Sequence, residues 1–344
     1  MPHLLNLLHE NHRSSLQNRE NKSLVKYPFF LIISIFLLLH GGISKAQDPQ
    51  FTQTYSSALY ANPAFTGSAG QGRVQAAHRI QWPGIPGTFY TTYIGADITN
   101  DKLPLDFGLN YLRDQAGEGI LTTQVFSLNV GRAMKLFKNV ALRIGGSAQL
   151  HTRYLDASKL VFSSVDDPYN QYIYGNDPNF TLKSRVGYIS FNSGIVLQSN
   201  TFLFAYGLHH FNEPNQSFFN NGVSRLPVKQ TAQGSLRIFK NEAKRLSKIY
   251  LNAAIAKQQD FKYFMAGVSA LHGKWKIGVS YRDRDSYMGL LGFVTNAFAV
   301  SYSYDYTISR LTNATAGSHE IALAYYFGKM QEKRASIPWM KELF

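Results

Sequence analysis

Residues 73–97 read RVQAAHRIQWPGIPGTFYTTYIGAD. Two segments of alternating apolar and polar residues are split by Pro83, Gly84, Pro86 and Gly87, which enforce a tight reversal. In a strand, a period of two puts alternate side chains on opposite faces. The same pattern recurs to the end of the chain. Leu105, Phe107, Leu109 and Tyr111 oppose Asp106, Gly108 and Asn110, and Phe298, Val300, Tyr302 and Tyr304 oppose Ser301, Ser303 and Asp305. Near the end, Ile321, Leu323, Tyr325 and Phe327 oppose Glu320, Ala322 and Ala324. Such segments number fourteen, beginning with 73–82 and 88–98, longest at 119–133 and 138–152, and ending with 317–328. The expectation is an all-β chain, a transmembrane antiparallel barrel of about fourteen strands with a short N-terminal plug-like segment; an even count returns both termini to the periplasmic side. Closure also removes strand edges that lipid cannot hydrogen-bond.

Connection lengths test this independently. Links from even to odd strands are mostly short: 100–104, 135–137, Asn200, His272-Gly273 and Thr295-Asn296, with 240–247 the longest. The two long connections, about 153–186 and 212–227, both join odd to even strands. Short periplasmic turns and long outer loops are the asymmetry of such barrels.

Composition agrees. Charged residues make up 16% of the 344 residues and aromatics 14%, against roughly 25% charged in an ordinary soluble domain. Mean hydropathy is slightly negative, and after residue 39 no apolar run approaches the ~20 residues that a helical span requires. The absence of cysteine excludes disulfides, thiolate chemistry, Cys-based metal sites and a lipid-modified Cys. The net charge is +14, of which the first 46 residues supply +3 (Arg13, Arg19, Lys22, Lys26 and Lys45 against Glu10 and Glu20), leaving +11. These bases are dispersed along strands rather than clustered on a helix, which argues against a nucleic-acid partner. Outer-membrane lipid, with acidic lipopolysaccharide, is the expected counterpart.

Residues 22–46, KSLVKYPFFLIISIFLLLHGGISKA, place Lys22 and Lys26 before an apolar run and small residues, Ser44 and Ala46, before Gln47. This is the pattern of a secretory signal cleaved before Gln47. The expected organisation is therefore signal 1–46, plug segment 47–72, barrel 73–328 and a periplasmic tail 329–344, the last disordered by default.

Searching for chemistry returns nothing catalytic. No nucleophile elbow, HExxH, phosphate loop or dinucleotide fingerprint occurs. His209 and His210 occupy adjacent strand positions and are expected to point to opposite faces. Asp283-Arg284-Asp285 lacks the ligand count and Gly spacing of a calcium loop. No enzyme activity, metal or cofactor is expected. Arg73, Arg79, Arg143, Arg237, Lys276 and Arg282 fall on inward positions, with Asp97, Asp106, Asp305 and Glu320 as possible counterions. In lipid each would cost a few kcal/mol, so they belong in the lumen.

The run Gln47-Asp48-Pro49-Gln50-Phe51, then Asn62-Pro63-Ala64-Phe65-Thr66-Gly67, then Arg79-Ile80-Gln81-Trp82 closely resembles the PorP/SprF family. Pro86, Gly87, Asp97 and the closing Tyr304-Asp305, Gly317 and Glu320–Phe327 also match. The likeness covers essentially the whole chain after the signal. It implies a fourteen-stranded outer-membrane component of the type IX secretion system of Bacteroidota, often associated with gliding motility. It further implies partners among secreted cargo bearing a C-terminal sorting domain and among periplasmic components of the machine. The alternative is a channel or transporter for small or hydrophobic solutes. Within this frame Gln47 to Gly67 is expected to be ordered inside or across the periplasmic mouth, its aromatics Phe51, Tyr55, Tyr60 and Phe65 packing on lumen side chains.

Overall fold

The structure is a computed structural model that describes residues 48–99, 104–156, 183–238, 248–309, 312–329 and 339–344. The expected signal, its cleavage point at Gln47 and most of the first long outer loop lie outside these residues.

Alternation becomes fourteen strands: β1 (Gly72–Gln81), β2 (Phe89–Ile98), β3 (Asp106–Ala116), β4 (Leu121–Phe137), β5 (Val140–Leu155), β6 (Arg185–Ser199), β7 (Phe202–His209), β8 (Lys229–Arg237), β9 (Lys248–Gln258), β10 (Phe261–His272), β11 (Trp275–Arg282), β12 (Ser286–Val294), β13 (Phe298–Thr307) and β14 (Ser318–Phe327). Each pairs antiparallel with its sequence neighbours, and β1 pairs with β14 from Gly72↔Phe327 to Gln81↔Ser318, closing the barrel. Several ends differ from the sequence reading, which stops the third segment at 112 and the fifth at 152 and runs the seventh over 201–211, where β3 reaches Ala116, β5 reaches Leu155 and β7 ends at His209. β4 continues to Phe137 through a register shift between Lys135 and Phe137, which breaks the alternation and hides the strand's true end. β7 stops at His209 because His210 takes a positive φ of 57°, which no regular strand accommodates.

The wall is inverted relative to a soluble domain. On β4, Leu128 is 55% exposed while its neighbours Ser127 and Asn129 are buried. Ile94, Leu109, Phe126, Leu150, Ile189, Ile255 and Leu323 share that outward apolar exposure. An outer face of this kind is stable only against hydrocarbon. Among the described residues no helix is long and apolar enough to cross a membrane; the strands do the crossing. The outward His78 stacks on Tyr90 with ring centres 6.5 Å apart and shares a hydrogen bond with Thr92, so its polar edge is satisfied on the wall. The first outer reversal is fixed by its neighbour: the Trp82 amide donates to the Gly317 carbonyl (3.0 Å) and the Gly84 amide to that of Thr315 (3.1 Å).

Candidate functional site: a plug tied to the lumen wall

Residues 49–71 run inside the barrel before β1. They hold a one-turn helix, Ala58–Ala61, and a 3-10 turn, Pro63–Phe65, which Asn62 starts by accepting the Ala64 amide (2.9 Å). Asn62 Nδ2 also donates to the Tyr206 carbonyl on β7 (2.9 Å). Phe51 packs edge-to-face on Tyr60 and on Tyr93 of β2 (6.1 and 6.2 Å), and Tyr55 does so on Phe65 (5.9 Å). The Tyr55 hydroxyl shares a hydrogen bond with Ser235 (2.7 Å). Tyr55 lies on the plug, off the spanning strands, and burial pushes its phenol up to about 12, opposed by the Ser235 hydrogen bond.

The lumen charges are not a loose lining. Most form ion pairs, and Arg73, Asp97, Arg143 and Glu320 also bind plug backbone. Arg73 pairs with Asp97 (2.8 Å) and donates to the Phe65 carbonyl (3.2 Å), while Asp97 accepts the Gly67 amide (2.7 Å). Arg143 pairs with Asp106 (2.8 Å) and donates to the carbonyls of Ala64 (3.2 Å) and Thr66. Further toward the outer side, Arg79 bridges Asp305 (2.9 Å) and Glu320 (3.5 Å). Glu320 accepts the Thr52 and Gln53 amides (2.7 and 3.0 Å), and the Thr52 hydroxyl donates to Asp305 and accepts from Arg79. Arg282 completes this group beside Asp285 (2.9 Å) and Asp305 (3.7 Å). Buried ions of this kind are tolerated because each is paired and most are further hydrogen-bonded.

Space for the plug comes from a feature that sequence reasoning missed. Gly131, Gly145, Gly194 and Gly207 stand opposite one another on β4, β5, β6 and β7, forming a row across the inner wall. A Cβ at Gly145 would lie 2.5 Å from the Pro63 carbonyl and the Ala64 amide nitrogen; one at Gly131 would lie 2.8 Å from the Thr66 carbonyl oxygen. A Cβ at Gly194 would meet the Asn62 carboxamide oxygen at 2.0 Å. The row is a trough in which the 3-10 turn lies.

Of the residues singled out from sequence, Phe51, Asn62, Pro63, Ala64, Gly67, Arg73, Arg79, Asp97, Arg143, Asp305 and Glu320 meet at this interface. Asp48 opens the described chain, the Pro49 carbonyl accepts from the Tyr60 hydroxyl (3.0 Å), and Gln50 is half-buried. Gln81, Trp82, Pro86 and Gly87 stand apart at the first outer reversal. Arg237 stands apart too, at the opposite mouth, its guanidinium 5.7 Å from the Trp339 ring. Thr52 and Gln53 were missed, since a Thr-Gln pair between aromatics carries no signal of its own.

Two expectations need correction. Residues 339–344 are not a free tail: Trp339, Met340, Leu343 and Phe344 are buried at the mouth that carries the short turns. Lys276 reaches their main-chain oxygens, and Lys248 pairs with Glu342. His209 and His210 do not face opposite sides. Both are buried with rings 6.3 Å apart, because the positive φ at His210 turns its side chain inward to Ser190 (2.7 Å). Among the described residues no group of His, Cys, Asp and Glu could hold a metal ion.

A closed antiparallel barrel with an apolar outer wall and an ion-paired internal plug defines an outer-membrane β-barrel protein. Residues 43–325 match the family described as the type IX secretion system membrane protein PorP/SprF, and the chain belongs to that family. It is also similar in fold to solved barrels. These include the Acinetobacter baumannii outer membrane protein Omp33 (12% identity, 76% of this chain and 100% of that one, TM-score 0.42) and a Pseudomonas aeruginosa FadL homologue (13%, 84% and 96%, 0.44). No curated protein matches the chain.

Proposed function

We propose that the barrel is a non-enzymatic mount of the type IX secretion system. It supports export or surface anchoring of cargo with a C-terminal sorting domain, such as a gliding adhesin. The observation carrying this reading is the plug: its backbone is bonded to three buried lumen ion pairs and its Thr52 hydroxyl to a fourth, which makes the barrel a stiffened support rather than a wide solute path. In the same reading the signal is removed before Gln47, lipopolysaccharide surrounds the wall, and periplasmic secretion components engage the short-turn end. Deleting the gene should strip specific C-terminally tagged proteins from the surface or medium, and complementation should restore them. Unchanged surface and medium proteomes, with single-channel conductance for small solutes in a planar bilayer, would replace this reading by that of a transporter. Mass spectrometry of the membrane-inserted protein should place its N-terminus at Gln47, as glutamine or as its cyclised pyroglutamate.

A further inference from the structure

The short-turn mouth carries a second cluster of contacts, apart from the plug. Trp339 stacks on Tyr250 of β9 (5.9 Å, 18° between planes) under the Arg237 guanidinium, and its indole N–H donates to the Ser199 carbonyl (3.0 Å). Three positions on, the Glu342 carboxylate is gripped by the Lys248 ammonium and the Tyr250 hydroxyl. Lys276, 3% exposed, donates to the main-chain oxygens of Leu343 (2.6 Å) and Phe344 (2.8 Å), and Lys341 donates to the Asn296 carbonyl (3.0 Å). The wall thus supplies an aromatic slot, a cation and a phenol for one carboxylate, and a buried ammonium that needs carbonyl acceptors. These are the parts of a peptide-recognition cleft: an aromatic anchor, charge complementarity and main-chain capture.

We propose that the mouth is a binding cleft for a linear peptide bearing an aromatic residue, an acidic residue three positions later and an apolar residue after it. Residues 339–344 are its resident, exchangeable ligand. Two features make exchange physical. The segment joins the wall only by side-chain and capping contacts, with no strand pairing. It is also separated from the end of β14 by the eleven residues Gly328 to Pro338, a connection that can span ~35 Å when extended. Tethering makes the resident ligand compete at high effective concentration, so a free peptide meets a largely occupied site. The proposal rests on the geometry of the mouth and stands or falls independently of the secretion reading.

The test uses the barrel in detergent and a fluorescein-labelled peptide spanning residues 334–344. A barrel lacking residues 339–344, shown to be folded by its heat-modifiable gel mobility, should bind the peptide at least tenfold more tightly than the intact barrel. Trp339→Ala or Glu342→Gln in the peptide, or Lys276→Gln in the truncated barrel, should each weaken binding by tenfold or more. Because the chain has no cysteine, Asn296→Cys and Lys341→Cys can be joined by a short bis-maleimide in the full-length barrel. Locking should abolish residual peptide binding, and the unlocked double variant should retain it. A folded truncated barrel that ignores the peptide, or locked and unlocked barrels that bind it equally, overturns the proposal.

Discussion

Gly145→Ala, compared with Gly146→Ala, isolates the fit between plug and wall. The two glycines are neighbours on β5 and face opposite ways. A methyl at position 145 would stand 2.5 Å from Pro63 and Ala64 backbone atoms, while at position 146 its one near neighbour would be the Asn192 carbonyl oxygen at 3.8 Å. An ordinary contact is about 3.5–4.0 Å, so the 3-10 turn must retreat by roughly 1 Å or the strand must bow. That turn is held on both sides, since Arg143 donates to the carbonyls of Ala64 and Thr66 and Arg73 to that of Phe65. Retreat therefore stretches buried charge-assisted hydrogen bonds as well as packing. Overpacking alone costs about 1–3 kcal/mol, and Gly145→Ala is expected near the upper end. Gly146→Ala should fall within ~0.5 kcal/mol of wild type or gain from the stiffer unfolded chain. Urea unfolding in lipid vesicles, followed by tryptophan emission, measures both. Equal midpoints for the two variants would refute the trough.

Three further outcomes follow from the same geometry. Asp106→Asn leaves the fully buried Arg143 without its carboxylate and should cost about 3 kcal/mol or more in the same unfolding assay, whereas Asp283→Asn, beside the exposed Arg284, should cost at most ~0.5 kcal/mol. Leu128→Arg places a charge on the lipid face and should destabilise by roughly 2–4 kcal/mol if it lies near mid-bilayer, read from unfolding in vesicles and from lower yield in the outer membrane. Tyr55→Phe removes a buried hydrogen bond and should cost about 1 kcal/mol at neutral pH. It should also flatten the alkaline limb: the native phenol ionises only near 12, against ~10 in the unfolded chain. Tyr55 therefore contributes its full share below ~10 and loses it as pH climbs toward the native value. Superimposable alkaline limbs for wild type and Tyr55→Phe would show that the ring is not buried as described.

Much of the barrel was legible because lipid outside and plug inside impose opposite polarity on alternate residues, a contrast that period-two reading detects directly. Residues such as Phe107 and Leu109 against Asp106 and Asn110 declare their faces without any tertiary knowledge. The trough was hidden for the converse reason: Gly131, Gly145, Gly194 and Gly207 are scattered along the chain and become a row only once register is set. Lys341 and Glu342 made the last residues read as solvated, although Glu342 meets Lys248 and Trp339 finds Tyr250. His210 misled because alternation assumes regular φ, and a single left-handed residue overrides it.

The bonds at Thr52 and Gln53 have a consequence for how the cylinder is finished. β1 and β14 are the ends of the chain's circuit, and their pairing closes the wall. Thr52 and Gln53 contact Arg79 on one margin of that junction and Glu320 on the other, with Asp305 one strand beyond. The seam is stapled from within, so parting the wall along this line breaks these plug bonds as well as the β1–β14 ladder.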